Sequence, residues 1–216
     1  MMVYWQVLGW TGLVLALWLC WTPLAWHKMR QDKGYQHLVF ASAMVLFCLW
    51  ALKAGISEGL DIHFLGMTVL TLSHGPRIAV WISVLPLSLM VGFGLLPWED
   101  VGLYAITTAV IPAFVSYGIF WLSYRYLTHH LFIYIFVAGF LNAAFTVVLH
   151  LCVVSAGYWL SGLHPWGTIV DNYLMLSLLM WFPEGLLNGF AVTLLAVYRP
   201  HWLRTFYDRE YLSPER

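Results

Sequence analysis

The chain has 216 residues, of which 62% are apolar, 18% aromatic and only 9% charged, with Lys plus Arg and Asp plus Glu balanced at ten each. A soluble domain averages about 25% charged residues, so a water-soluble globule is excluded, and zero net charge argues against a nucleic-acid partner or a basic membrane-surface role. With a mean hydropathy of +0.78 and room for about seven spans of roughly 20 residues, the composition indicates an all-α polytopic membrane protein. Cys20, Cys48 and Cys152 lie in separate apolar runs without a C-x-x-C, so neither a disulfide framework nor a zinc ribbon is expected.

The first span is expected over about residues 3–26. No basic residue precedes it and no small-residue cleavage site follows, so it reads as an anchor and not a cleaved signal. A connection with Lys28, Arg30 and Lys33 leads to a second span over about 37–54, followed by a polar stretch holding Glu58 and Asp61. The apolar piece 62–72 has eleven residues. As a helix it would reach about 17 Å against about 30 Å of hydrocarbon, so this third segment is short or re-entrant. Four further spans follow at about 78–96, 101–126, 131–160 and 172–198, with Pro86, Pro112 and Pro183 inside them. The first 198 residues thus form one transmembrane domain. Residues 199–216, where Trp202, Phe206, Tyr207 and Tyr211 alternate with arginines, read as a cytoplasmic interfacial tail. If the N-terminus is outside, nine of the ten Lys and Arg residues fall inside, with Lys53 as the exception, while Glu58, Asp61, Glu99, Asp100 and Asp171 fall outside. Seven spans with the N-terminus outside and the C-terminus cytoplasmic is the predicted topology.

No lysine follows a glycine, so there is no Walker phosphate loop and no nucleotide is expected to bind this chain. Neither an H-E-x-x-H nor a G-x-S-x-G motif is present, and no spacing of serines and histidines selects a catalytic pair, so no enzymatic activity is assigned. Charged groups within spans are costly and tend to be functional. Glu184, within Phe182-Pro-Glu-Gly-Leu-Leu-Asn-Gly189, lines a cavity or holds a neighbouring ligand in place, unless it merely packs against carbonyls loosened by Pro183. Gly185 and Gly189 form a G-x-x-x-G suited to close helix approach. Glu58, Asp61 and His63 form the best constellation of ligand-type residues, and His164 lies on the same outer side. Imidazole with carboxylates suits a first-row divalent metal; the other reading is a solvated loop with nothing bound. His74 belongs to the inner side, His129 and His130 to a cytosolic boundary, and His150 reads as a hydrogen-bonded histidine within the sixth span.

The segment His63-Phe-Leu-Gly66 followed by Gly75-Pro76 resembles the G-H-L-x-G…x-L-x-G-P stretch of the cobalt/nickel substrate-capture membrane subunits of energy-coupling-factor ABC transporters. Tyr104 through Arg125 looks like that family's fifth helix, and Pro183-Glu-Gly-Leu-Leu187 with Arg199-Pro200 looks like its last. Three matches in order cover about residues 55–200. The resemblance implies seven helices with the N-terminus outside, His63 at the place of a metal-coordinating histidine, and Glu184 as a family-typical residue. It further implies a divalent transition-metal cation such as cobalt or nickel as substrate, a membrane coupling subunit and an ATPase pair as partners, and the inner membrane of a bacterium. Cobalt and nickel members begin Met-His, whereas this sequence begins Met1-Met2-Val3 and has no histidine before His27. Either another ligand set drawn from Glu58, Asp61 and His164 serves, or the metal differs, or metal is no longer captured. In that last case the alternative function is a non-transporting membrane interaction or assembly protein.

Overall fold

The computed structural model describes residues 2–55 and 60–211 and is mostly helical, at 82%. Helices α1 (Met2–Leu19) and α2 (Pro23–Gln31) meet at 71°, where the hydropathy suggested one continuous span. The cause is Pro23. A proline disfavours the helical conformation in the residue before it, so Thr22 is extended at φ −134°, ψ 99°, and the pyrrolidine starts a new helix. In α3 (Lys33–Ala51) the start is set by Asp32, whose carboxylate accepts the Tyr35 N–H at 3.0 Å. Strand β1 (Ala54–Gly55) then pairs antiparallel with β2 (Asp61–Ile62), Ala54 opposite Ile62 and Gly55 opposite Asp61. Glu58 lies outside the described residues.

The chain continues through α4 (Met67–His74), α5 (Pro76–Ile82) and α6 (Val84–Gly92). Next, α7 (Val101–Ala105) runs through a π-helical turn into α8 (Ile111–Tyr126), and α9 (Leu131–Ile133) runs through a second into α10 (Asn142–Ser161). Helices α11 (Trp166–Asn172), α12 (Ser177–Tyr198) and α13 (Asp208–Tyr211) complete it. Among the described residues, four stretches are long and apolar enough to cross a membrane, namely Lys33–Ala51, Trp98–Tyr126, Leu131–Ser161 and Trp166–Tyr198, or five if α1 and α2 form one bent span. Large apolar side chains such as Trp18, Phe132, Leu178 and Phe190 face outward, as a bilayer solvent requires.

Helix α1 lies directly on α7. A Cβ on Gly102 would stand 2.4 Å from the Gly9 carbonyl carbon, so neither position tolerates a side chain without a backbone shift. Gly12 in turn meets Ile106, so the two helices advance in the same direction. The Gly185 and Gly189 pair of α12 packs on Phe140, consistent with the close approach expected of that motif.

At the centre is α4, with every residue but Val69 buried, packed against α5, α8, α10 and α12. A helix this short has no interior carbonyls to spare, because its first four N–H and last four C=O groups lack partners within it. At the C-terminal end the partners come from the segment after α12. The Leu72 carbonyl accepts Thr205 N–H at 3.2 Å and Thr205 Oγ1 at 2.9 Å. The Ser73 carbonyl accepts Arg204 N–H at 3.2 Å, and the His74 carbonyl accepts Arg204 Nη1 at 3.3 Å. Leu203, Phe206 and Tyr211 of the same segment are buried against Leu72, Phe120 and Tyr134.

Candidate functional site

The N-terminal end of α4 carries the candidate site. Gly66 stands at φ 64°, a left-handed conformation that glycine adopts without strain, and a Cβ there would meet Leu49 at 2.8 Å. The orphan N–H groups of this end are satisfied from α12, more than a hundred residues away. Glu184 Oε2 accepts Leu65 N–H at 2.9 Å and Oε1 accepts Gly66 N–H at 2.8 Å. Asn188, one turn further on, accepts Val69 N–H at 3.0 Å and donates to Glu184 Oε1 at 2.8 Å. Every partner of the carboxylate is a donor, which suits the ionised, acceptor-only form. Its negative charge also opposes the positive end of the α4 dipole. Glu184 therefore holds the His63–Gly66 strap in place. From α3, the buried Trp50 ring holds the strap's other side, its Nε1–H donating to the Leu65 carbonyl at 3.1 Å.

His63, buried at the start of the strap, has both ring nitrogens engaged. Nδ1 lies 3.0 Å from the Phe64 carbonyl, and since a carbonyl can only accept, Nδ1 carries the proton. The Nε2 lone pair is thus left to accept the Tyr104 hydroxyl at 2.8 Å. The Lys53 ammonium stands over the Tyr104 ring, 5.5 Å from its centroid. The His150 ring of α10 packs with its centroid 6.1 Å from that of His63.

The other expected ligands stand apart from this buried pair. Asp61 is exposed on β2, with its carboxylate against Gly55. His164 packs edge-on against Tyr158 at 5.8 Å. Among the described residues no three His, Cys, Asp or Glu side chains converge. His74 is buried at the far end of α4, 3.2 Å from Ser42. A cavity of about 300 Å³ between α2, α3, α5 and α6, lined by residues such as Trp26, Phe40 and Trp81, shares no residue with the His63 site.

The residues that complete the site and that sequence reasoning did not select for it are Trp50, Tyr104, His150 and Asn188. Only Asn188 carried a local signal, four residues after Glu184 and hence on the same face of one helix. Trp50 and Tyr104 reach the strap across loops.

This fold is shared with solved structures. One, described as a transition metal transporter, superposes with a TM-score of 0.74 at 17% identity, covering 90% of this chain and 88% of its own. A second, described as a truncated transition metal transporter, gives 0.69 at 17% identity, covering 88% of this chain and 92% of its own. Comparison with curated protein sequences finds no significant match. At such identity the structures speak for the fold alone, whereas the sequence itself matches a family along nearly its whole length. Over residues 2–202 it fits the family described as the cobalt uptake substrate-specific transmembrane region (CbiM), and the chain belongs to that family of membrane metal-uptake components.

Proposed function

We propose that the chain captures a divalent transition-metal cation, cobalt- or nickel-like, at an outward-facing site centred on His63 and passes it inward. Asp61 and His164 belong to the mouth at which the ion arrives, and Glu58, three positions before Asp61 in the sequence, is a further candidate ligand. Because the sequence has no phosphate-binding loop, ATP hydrolysis falls to a separate ATPase pair acting through a membrane coupling subunit, and the exposed Arg77 and Arg125 offer cytoplasmic contacts to them. The topology is seven spans in a bacterial inner membrane with the N-terminus outside; the same-direction packing of α1 on α7 supports the odd number of crossings, three, that this topology places between them.

The observation that carries this reading is the tautomer of His63. Tying Nδ1–H to a backbone carbonyl is how metal-binding imidazoles are oriented, and it presents Nε2 as the donor atom. The test is the metal content of the purified, detergent-solubilised chain after exposure to nickel, cobalt, zinc and copper salts, with His63→Ala alongside. About one ion per chain, lost in the variant, is expected; equal retention in both refutes the site.

A further inference from the structure

We infer that His150 is the second imidazole ligand of the captured ion, so that the ion is clamped between α10 and the strap before α4. This rests on the proposed capture at His63.

His150 is buried within α10, and its Nδ1 lies 2.9 Å from the Thr107 carbonyl. The same logic that applies to His63 applies here: the carbonyl accepts, Nδ1 carries the proton, and Nε2 is the lone pair. That a carbonyl in mid-helix is free to accept follows from the sequence. Ile111 N–H bonds the Ile106 carbonyl, five residues back, so it is withdrawn from Thr107. The next amide along belongs to Pro112, which has no N–H. The π-helical turn in front of Pro112 thus exposes one carbonyl, and His150 from the neighbouring helix takes it. Two adjacent histidines therefore have the same tautomer fixed by the same device. Among the described residues no hydrogen-bond partner engages His150 Nε2.

The spacing fits one ion. With metal–nitrogen bonds of about 2.0–2.1 Å and Nε2 about 1.2 Å from the ring centre, two imidazoles on one ion have centroids roughly 5 Å apart at a tetrahedral angle and about 6.5 Å apart when trans. The observed 6.1 Å lies between these limits. Among the described residues no carboxylate or thiolate joins the two rings, so the remaining positions fall to oxygen from the Tyr104 hydroxyl or water. Two neutral nitrogens with oxygen suit cobalt, nickel, copper or zinc and disfavour magnesium and calcium, which need hard oxygen cages.

The test is X-ray absorption on the purified full chain loaded with cobalt(II), counting imidazoles from their outer-shell scattering, together with cobalt affinity for wild type, His63→Ala and His150→Ala. Two imidazoles in the wild type, and a loss of at least about tenfold in affinity in His150→Ala, are expected. The wild-type spectrum needs no variant to fold. One imidazole in the wild type, with His150→Ala binding as tightly as wild type while His63→Ala does not bind, overturns the role of His150 and leaves capture at His63 standing. No cobalt bound by the wild type overturns both.

Discussion

Glu184→Gln tests the physical logic of the site most directly. The substitution keeps the shape of the side chain and changes only its hydrogen-bonding capacity. The carboxylate accepts three donors through two oxygens, Leu65 N–H at 2.9 Å, and Gly66 N–H and Asn188 Nδ2 each at 2.8 Å. A glutamine has one oxygen to offer, and its amide NH2 must face a donor whichever way it turns. In the less damaging orientation the oxygen keeps Gly66 and Asn188, and the Leu65 N–H is orphaned in a fully buried position. One buried unsatisfied donor costs about 1–3 kcal/mol. Loss of the charge at the N-terminus of α4 adds about 0.3–1 kcal/mol. At about 2–4 °C per kcal/mol for a chain of this length, the melting temperature should fall by roughly 3–15 °C. Thermal unfolding in detergent, followed by the intrinsic fluorescence of the 13 tryptophans, measures it. Amide hydrogen exchange should also accelerate over residues 63–69, because the strap loses its anchor. A variant that melts within a degree of wild type, with unchanged exchange there, would refute the assignment of Glu184 as the cap of α4.

Tyr104→Phe removes the hydroxyl that occupies His63 Nε2. If the ion must displace that hydrogen bond, worth about 0.5–1.5 kcal/mol, the variant should bind cobalt about two- to twelvefold more tightly in a competition titration; weaker binding would make the phenol oxygen a ligand. Deleting the residues after Tyr198 strips the carbonyls of α4 of Arg204 and Thr205 and, by removing Leu203, Phe206 and Tyr211, uncovers Leu72, Phe120 and Tyr134. The shortened chain should be recovered unfolded or aggregated by size-exclusion chromatography, whereas a tail that only rests on the membrane would leave a monodisperse protein. Gly102→Val would force α1 off α7, where even a Cβ lies 2.4 Å from the Gly9 backbone. It should lower the melting temperature by at least about 4 °C, on the order of 2 kcal/mol of overpacking, and an unchanged midpoint would count against this helix contact.

Composition and the positions of its apolar runs settled much about this protein from the sequence alone. A chain with 9% charged residues cannot present a soluble surface, and the long helices fall within about the residues the apolar runs occupy. The family was also legible, because its motifs around His63, Tyr104 and Glu184 are contiguous in the chain, and the match over residues 2–202 bears the resemblance out. The break at Thr22–Pro23 was masked by hydropathy that continues across it, although the proline itself was the signal. What only the tertiary structure decided is how polar groups pair inside an apolar body. Glu184 meets Leu65, His150 meets Thr107 and Thr205 meets Leu72 across 119, 43 and 133 positions of the chain. Hydrophobic periodicity marks which face of a helix is buried, but it carries no trace of which distant carbonyl or N–H a buried side chain will satisfy. With no water in the bilayer to complete those bonds, each had to be closed by another part of the chain. That requirement brought the two ends of α4 and the two histidines beside it into one arrangement.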